Sequence, residues 1–500
     1  MPRRLNARLL LTCAGLALAA GVAVPSVALA ADCNHTIFDG AGYRYDFGVE
    51  FQNPGGTPPA LIDVYGAPRD GGSNGPADSP PGPVRTEDAW DGWGGIFVIS
   101  PDQPPFTPTA ADMYDGSAAA CELALGGQEI AFPVLPMKGL EVQHRWYVDP
   151  GPLHGARILT VLHNPTPVPI SVQLVQGDPT RQHKLGELTP TVAAASDGGK
   201  NFSPGAVWGV STDDTTVDHD PALAHVWDGS GGQARVELVS LNGGALYWVW
   251  KGITVPPGGT SAFVSYEIQA AVPGRATAAE VAEAVAQAEA REHQPLVSLY
   301  IGMSAAEIAG TMNWPHPNPT AAIAPVNGAN AATPVRLDGS GSVGAAGLPQ
   351  CSASYAWKAD DGATGSTPQL THFFSPGRHS ATLTVGNDCG GTAQSTQVSF
   401  QVAPGLKLLR VRPNRGTGTA ALKLRTLGPG KLTLNGKGIE KQAKRVKRAG
   451  AYSLIVRPAG KALRSLVRNA KATVRVTATL RPPGGQPSQI RKTIVLKRVG

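Results

Sequence analysis

Three groups of side chains in this 500-residue sequence have types and spacings suited to chemistry. The first is Asp213-Asp214-Thr-Thr-Val-Asp218-His219-Asp220, with His225 close behind. Hard carboxylate oxygens crowded into one loop suit Ca²⁺, which takes roughly six to eight of them. EF-hand spacing and a downstream bidentate glutamate are both missing. Asp213, Asp214, Asp218 and Asp220 therefore read first as a solvated loop, with a structural Ca²⁺ as the alternative and no other cofactor implied. The second group is Glu87-Asp88-Ala-Trp90-Asp91-Gly-Trp93-Gly. Flat rings at Trp90 and Trp93 beside the Asp91 carboxylate have the composition of a saccharide-binding groove. A glycosidase needs two carboxylates across a cleft, and the spacing does not say whether Glu87, Asp88 or Asp91 meets a second acid. The third group is Lys441-Gln-Ala-Lys444-Arg445-Val-Lys447-Arg448. Clustered cations of this kind attract polyanions. Nucleic acid is disfavoured, because only Tyr452 nearby offers a ring for base stacking.

Signatures of a reaction are missing. The sequence has no GxSxG, HExxH or P-loop, and no GxGxxG between strand and helix. His144, His163 and His183 fall in or beside expected strands and read as core or groove histidines rather than ligands or bases. In the run Tyr247-Trp248-Val-Trp250, Trp248 and Trp250 share one face of a strand and Tyr247 takes the other.

Charge is more informative about partners. From Gly405 to Gly500 there are 24 Lys and Arg and one acid, Glu440, so the net +6 averages an acidic body with a strongly basic end. The expected partner of that end is an anionic cell-wall polymer or another extracellular anionic surface. Glycans at the Trp90/Trp93 loop come second. Docking of the basic end on the chain's own acidic body is a third option.

The positions of these groups depend on where the chain goes and on the elements that hold it. Residues 1–30 read as an export signal: Arg3, Arg4 and Arg8, then an apolar Leu9 to Ala23, then Ala28-Leu29-Ala30 at the cleavage positions. The expectation is a secreted, extracellular protein, in association with the cell wall. No later apolar run reaches the roughly 18 residues of a membrane span. Cys33, Cys121, Cys351 and Cys389 remain, an even number in an oxidising compartment. No CxxC occurs, so disulfides are favoured over zinc.

Only 16% of residues are charged, while 61 are Gly and 44 Pro, which favours short strands joined by turns. The fold class is all-β, with several β-sandwich domains. Residues 31–274 alternate throughout, as in Tyr43, Tyr45, Phe47, Val49 and Phe51, and read as a large β-sandwich; Gly66 to Val84 is an exposed loop. Residues 275–314 are helical. Thr277-Ala-Ala-Glu280 is a capping box, and Ser304-Ala-Ala-Glu307 opens a second helix toward Trp314. This helical pair is expected to pack on the sandwich edge. Residues 315–319 form a proline-rich linker.

Beyond the linker, Val335-RLDGSGS, Tyr355-AWKADDG and Phe374-SPGRHSATLTVGNDCGG follow in order, and residues 320–403 resemble a PKD (polycystic kidney disease-type) repeat. The resemblance implies an Ig-like extracellular sandwich with Trp357 in its core and Leu383 and Val385 facing inward. It also implies a Pro376-Gly377 turn before their strand. Ala359-Asp360-Asp361-Gly362 departs from the usual pattern, in which a Gly often precedes the Asp-Gly turn. Cys351 and Cys389 flank strands of this one unit, which pairs them and leaves Cys33 with Cys121. Residues 405–500 resemble a basic β-sandwich module found at the C-terminus of secreted actinobacterial proteins, with a short helix over Lys461 to Asn469. The composite reading is a non-catalytic surface or scaffold protein: a ligand-binding first domain, a PKD-like spacer and an electrostatic attachment module. An extracellular carbohydrate-active enzyme, with catalysis in the first domain, is the alternative.

Overall fold

Strand Thr260–Gln269 (TSAFVSYEIQ) is buried along almost its whole length, because both faces of the sheet it belongs to are covered. The computed structural model describes residues 35–40, 44–48, 60–65, 90–91, 93–114, 121–180, 184–185, 190–212, 221–270 and 278–499. The export signal, Cys33, the Gly66 to Val84 loop and the Thr277 end of the first capping box lie outside them.

The large sheet of the first domain runs in the order Thr191–Ala195, Trp208–Thr212, Leu223–Val226, Thr260–Gln269, Ala156–His163, Leu140–Val148, Glu129–Ala131 and Glu122–Ala124, with Leu135–Met137 paired to Leu140–Val148. On one face Val142, Trp146, Ile158, Leu162 and Phe263 meet a second sheet, ordered Leu238–Asn242, Ala245–Val255, Ile170–Gly177 and Ile96–Ile99. Ile37, Tyr45, Phe47 and Leu185, from a five-stranded sheet, complete that core. On the other face Leu159, Val161, Ala262, Val264, Tyr266 and Ile268 are covered by Ala284, Ala288, Leu299, Tyr300, Met303, Ile308 and Trp314.

The helices therefore lie on a sheet face and not on the sandwich edge. An edge offers only backbone groups, whereas this face offers apolar area worth roughly 25 cal/mol per Å² buried. Helix Ala278–Glu292 approaches closely through Ala284 and Ala288. Three buried or nearly buried arginines fasten the layer. Arg157 bonds Glu129 at 2.8 Å and donates to the carbonyls of Leu299 and Ile301. Arg145 meets Glu307 at 2.6 Å, and Arg291 meets Asp149 at 2.8 Å. The Ser304 capping box forms as expected, with Ser304 Oγ accepting from Glu307 N. Its helix, Ala305–Ala309, stops well short of Trp314. Gly310 O and Met312 N instead bond Ala262, which draws the chain onto the sheet. A further short helix, Leu296–Leu299, was not expected from the sequence.

Residues 315–319 are a packed seam rather than a free linker. Proline fixes φ and has no N–H, but its carbonyl still accepts. Tyr300 Oη donates to Pro315 O and Asn387 Nδ2 to Pro317 O, each at 2.7 Å. One bond thus comes from the helical layer and the other from the next domain.

That domain has Val335–Asp338 paired with Gln369–His372, and a second sheet ordered Thr364–Gly365, Ala353–Ala359, Gly377–Asn387 and Gln394–Val402. Trp357, Leu383 and Val385 are buried in its core, as the resemblance implies. Gly339 packs against that core, where a Cβ would sit 2.5 Å from Leu383 Cδ2 and force the side chain to shift. The Asp360-Asp361-Gly362 turn is held by its acids: Asp360 accepts from Ser380 N and Asp361 from Ala363 N. Cys351 and Cys389 form a disulfide across 38 residues, and both sit in the cluster that covers the helices. Cys121 is also disulfide-bonded, to a partner outside the described residues.

The last unit packs strands Leu406–Asn414, Thr419–Thr426 and Gly450–Val456 against Gln442–Val446, Gly430–Lys437, Lys471–Arg481 and Ser488–Lys497. Helix Gly460–Asn469 stands where the sequence places one. Ala332 of the preceding domain enters this core, so tightly that a Cβ on Gly428 would meet Ala332 O at 2.7 Å.

Replacing Cys351 and Cys389 together by Ala removes a constraint on a 38-residue separation, worth about 4 kcal/mol on the loop-entropy model. Hydrogen exchange in Gly377–Asn387 is expected to accelerate accordingly; protection equal to that of the unsubstituted chain would contradict this.

Candidate functional site

The aromatic loop closes inward. Trp90 and Trp93 are fully buried, so they line no groove. Trp93 Nε1 donates to Leu246 O at 2.8 Å, and its ring lies 5.3 Å from Trp248 in a series continuing through Trp250 to Phe263. Rings this large contribute most by burial, and the two apolar sheets supply the space. Asp91 pairs with Lys184 in a short ladder. Trp248 and Trp250 do share the inner face, with Tyr247 only partly buried on the outer one. Asp213, Asp214, Asp218 and Asp220 lie outside the described residues, as does His183.

Trp90 Nε1 reaches Glu267 Oε2 at 3.3 Å, which leads to an arrangement the sequence reading missed. His225 Nδ1 stands 2.6 Å from Glu267 Oε2, and Ser211 Oγ stands 2.9 Å from His225 Nε2. Neighbouring strands place them, with His225 directly opposite Glu267 in register. The order serine, histidine, carboxylate is that of an activated nucleophile. A nucleophile must also be reached. Ser211, His225 and Glu267 are each 0% exposed, and Phe202 meets the imidazole edge-on at 5.9 Å. In this state the relay locks three strands in register from within the core. Only the Glu267 end left a signal in the sequence: Ser265, Glu267 and Gln269 recur every second residue in an apolar strand and so share one polar face.

Other buried polar groups also hold structure. Burial pushes His144 down to about 3, leaving a neutral ring that accepts from Trp146 Nε1 at 2.8 Å. Burial pushes Asp228 up to about 7, opposed by donation from Trp250 Nε1 and Val236 N. Glu267 is likewise raised by burial, against the opposing pull of His225.

The basic cluster opens outward. Lys441, Lys444, Arg445, Lys447 and Arg448 are all exposed, on or beside edge strand Gln442–Val446. Leu432, Leu434, Ala478 and Leu480 face the core, which turns their strand neighbours to solvent. Lys431 then stands directly opposite Arg445 on one side and Arg481 on the other. Lys437 opposes Arg475 in the same sheet, and Lys471 opposes Lys497. Like charges directly opposite are unfavourable. The Arg445–Lys431–Arg481 row borders a groove of about 840 Å³, lined also by Lys444, Lys447, Pro482 and Pro483. Among the described residues the module's one ion pair is the exposed Arg457–Glu440, at 3.6 Å, and none joins it to the acidic body.

Residues 316–402 match the family model described as PKD domain. No curated protein matches the chain. Among solved structures, elastase-activated Escherichia coli alpha-2-macroglobulin is 9% identical across 91% of this chain and 45% of its own, with a TM-score of 0.16. This chain thus spans less than half the length of that protein. A tetra-tandem repeat from the extending region of a large adhesion protein is 12% identical across 81% of this chain and 92% of its own, TM-score 0.20. A Ca²⁺-stabilized adhesin that helps an Antarctic bacterium bind ice is 12% identical across 83% and 92%, TM-score 0.18. Scores this low carry no argument about this chain's function.

Two outcomes follow from the buried groups. Asp228 has a folded pKa of about 7, above the unfolded value of about 3.9. The folded chain therefore binds more protons between these values, and its stability falls as pH rises from about 4 to 7. Denaturant midpoints across that window should show the fall and Asp228→Asn should flatten it; equal slopes would contradict the assignment. A fluorophosphonate is expected to leave Ser211 of the folded chain unmodified, and an adduct found there by peptide mass spectrometry would make the relay a working nucleophile.

Proposed function

We propose that this chain is an extracellular, non-catalytic adhesion or scaffold protein, held to an anionic surface by the outward face of its C-terminal sheet. The observation that carries the reading is the unneutralised row Arg445–Lys431–Arg481 beside its groove. Opposed cations in register raise the free energy of the bare sheet, and a linear polyanion laid across the strands relieves that repulsion. The 24 basic residues against Glu440 extend the favourable field over the whole module. The export reading of residues 1–30 and the PKD domain match support an extracellular setting. Cell-wall polymers with phosphate or carboxylate repeats are the partner class we favour. The PKD domain fixes the spacing between this module and the first domain, through the seams at residues 315–319 and at Ala332.

Retention on isolated Gram-positive cell walls tests this. Lys431→Gln, Arg445→Gln and Arg481→Gln combined should weaken retention by about tenfold or more, at roughly 0.5–1 kcal/mol per exposed ion pair. Added salt should erase most of the remainder by screening. Retention indifferent to salt and to the triple substitution would sink the proposal.

A further inference from the structure

The outward face of the first domain's second sheet carries a cleft, lined among the described residues by uncharged side chains, that neither the sequence motifs nor the basic module explains. Its volume is about 470 Å³, and Phe106, Thr180, Ser240, Asn242 and Tyr247 are among its lining residues. That volume falls within the roughly 300–1,000 Å³ of small-ligand sites. Hairpin strands Leu238–Asn242 and Ala245–Val255 form the floor, with Ser240 directly opposite Tyr247 and Asn242 opposite Ala245.

Phe106 forms the wall and is 62% exposed, so its ring is open to an occupant of the cleft. The loop that carries it is braced rather than loose. The two protons of Gln173 Nε2 are shared among the carbonyls of Ser100, Pro101 and Gln103, at 3.1, 2.6 and 3.0 Å. Gln103 Nε2 in turn donates to Asp112, which also pairs with Lys138 at 2.5 Å. Beneath the loop, Phe97, Ile99, Val175 and Val249 make a small core of their own. This bracing holds the segment that carries the exposed Phe106 ring at the cleft.

The polar lining is also oriented. Buried Asp178 accepts from Thr180 N at 2.6 Å and from Thr180 Oγ1 at 2.5 Å, which commits that hydroxyl's proton and leaves its lone pairs for the cleft. The side chains of Ser240 and Asn242 add donors and acceptors. Among the described residues no charged side chain lines the cleft. Aromatic faces carry negative π density that attracts the polarised C–H bonds of a sugar ring, while hydroxyls and an amide read the ring's hydroxyls.

We propose that this cleft binds a neutral pyranose unit of an oligosaccharide, with Phe106 and Tyr247 as stacking platforms and Thr180, Ser240 and Asn242 as hydrogen-bonding partners. The site is independent of the cationic sheet. A proline-rich peptide is the rival occupant of a cleft with aromatic walls, but it has few donors and would leave the Thr180 lone pairs unused.

The test is calorimetric titration of the full chain with cellotetraose, mannotetraose, xylotetraose and maltotetraose at low and high salt, alongside a polyproline peptide. At least one tetrasaccharide should bind with an affinity unaltered by salt. Phe106→Ala and Tyr247→Ala should each weaken it by about tenfold, while the Lys431, Arg445 and Arg481 triple variant should bind as the unsubstituted chain does. Phe106 is exposed, so its loss should not unfold the domain. The proposal is overturned by any of four results: no tetrasaccharide binds, only the peptide binds, both alanine variants bind normally, or added salt or the triple substitution abolishes binding. Only the last would move the binding to the cationic face.

Discussion

A sheet apolar on both faces cannot stand with either face in water, and this constraint organises the first two-thirds of the chain. Strand Thr260–Gln269 places Phe263 in one core and Ala262, Val264, Tyr266 and Ile268 in another. The second face is too large for helix Ala278–Glu292 to cover alone. Ala345, Leu348 and the Cys351–Cys389 bridge of the PKD domain complete the cover. The disulfide thus closes a loop in its own domain and supplies apolar surface to its neighbour. The same dependence explains the guanidinium groups of Arg157, Arg145 and Arg291. Isolated buried cations are expensive, and each is matched by a carboxylate or carbonyl from the layer it fastens.

The C-terminal module reverses the logic. Its sheets bury one face each, so alternation prevails and most outward positions are free of packing demands. Lys or Arg occupies many of them, including positions where two cations face each other across a ladder. Apolar burial on the opposite face tolerates this, because exposed like-charge pairs cost only tenths of a kcal/mol to about 1 kcal/mol each. Stability therefore places few limits on the outer face, which leaves its composition open to a partner's demands.

This contrast decides what was legible in the sequence. Alternating stretches such as Leu432-Thr-Leu434 identify their inner face from the residues alone, because water on one side enforces the period. The PKD domain core at Trp357, Leu383 and Val385, the Cys351–Cys389 pair and the basic module were readable on that basis or from resemblance. Strands buried twice give no such period, so the sequence could not show that the helices lie on a face. Trp90 and Trp93 misled for a different reason: aromatics with acids nearby describe a sugar groove and a tryptophan core equally well, and only burial separates them. Ser211, His225 and Glu267 lie far apart in the chain and are brought together by register alone. The Pro315 to Pro319 seam read as a linker because composition does not show which carbonyls will find donors.

Interior chemistry and surface chemistry consequently serve different ends in this molecule. The Ser211–His225–Glu267 relay and the Asp228–Trp250 pair spend their hydrogen bonds on strand register. The groups left for partners are those the core does not need: the cationic rows and the braced Phe106. These two surfaces differ in kind, one lined by Lys and Arg and the other, among the described residues, by uncharged side chains. They also sit on units joined through packed seams. A seam that shares a core, as at Ala332 and at the disulfide, allows less relative motion than a flexible linker. Two weak contacts held at a fixed separation act together only where both ligands occur at that spacing, since effective concentration collapses when geometry forbids joint engagement. On the two binding proposals above, packed seams between the units would favour a composite surface that presents polyanion and glycan at that spacing over either component alone.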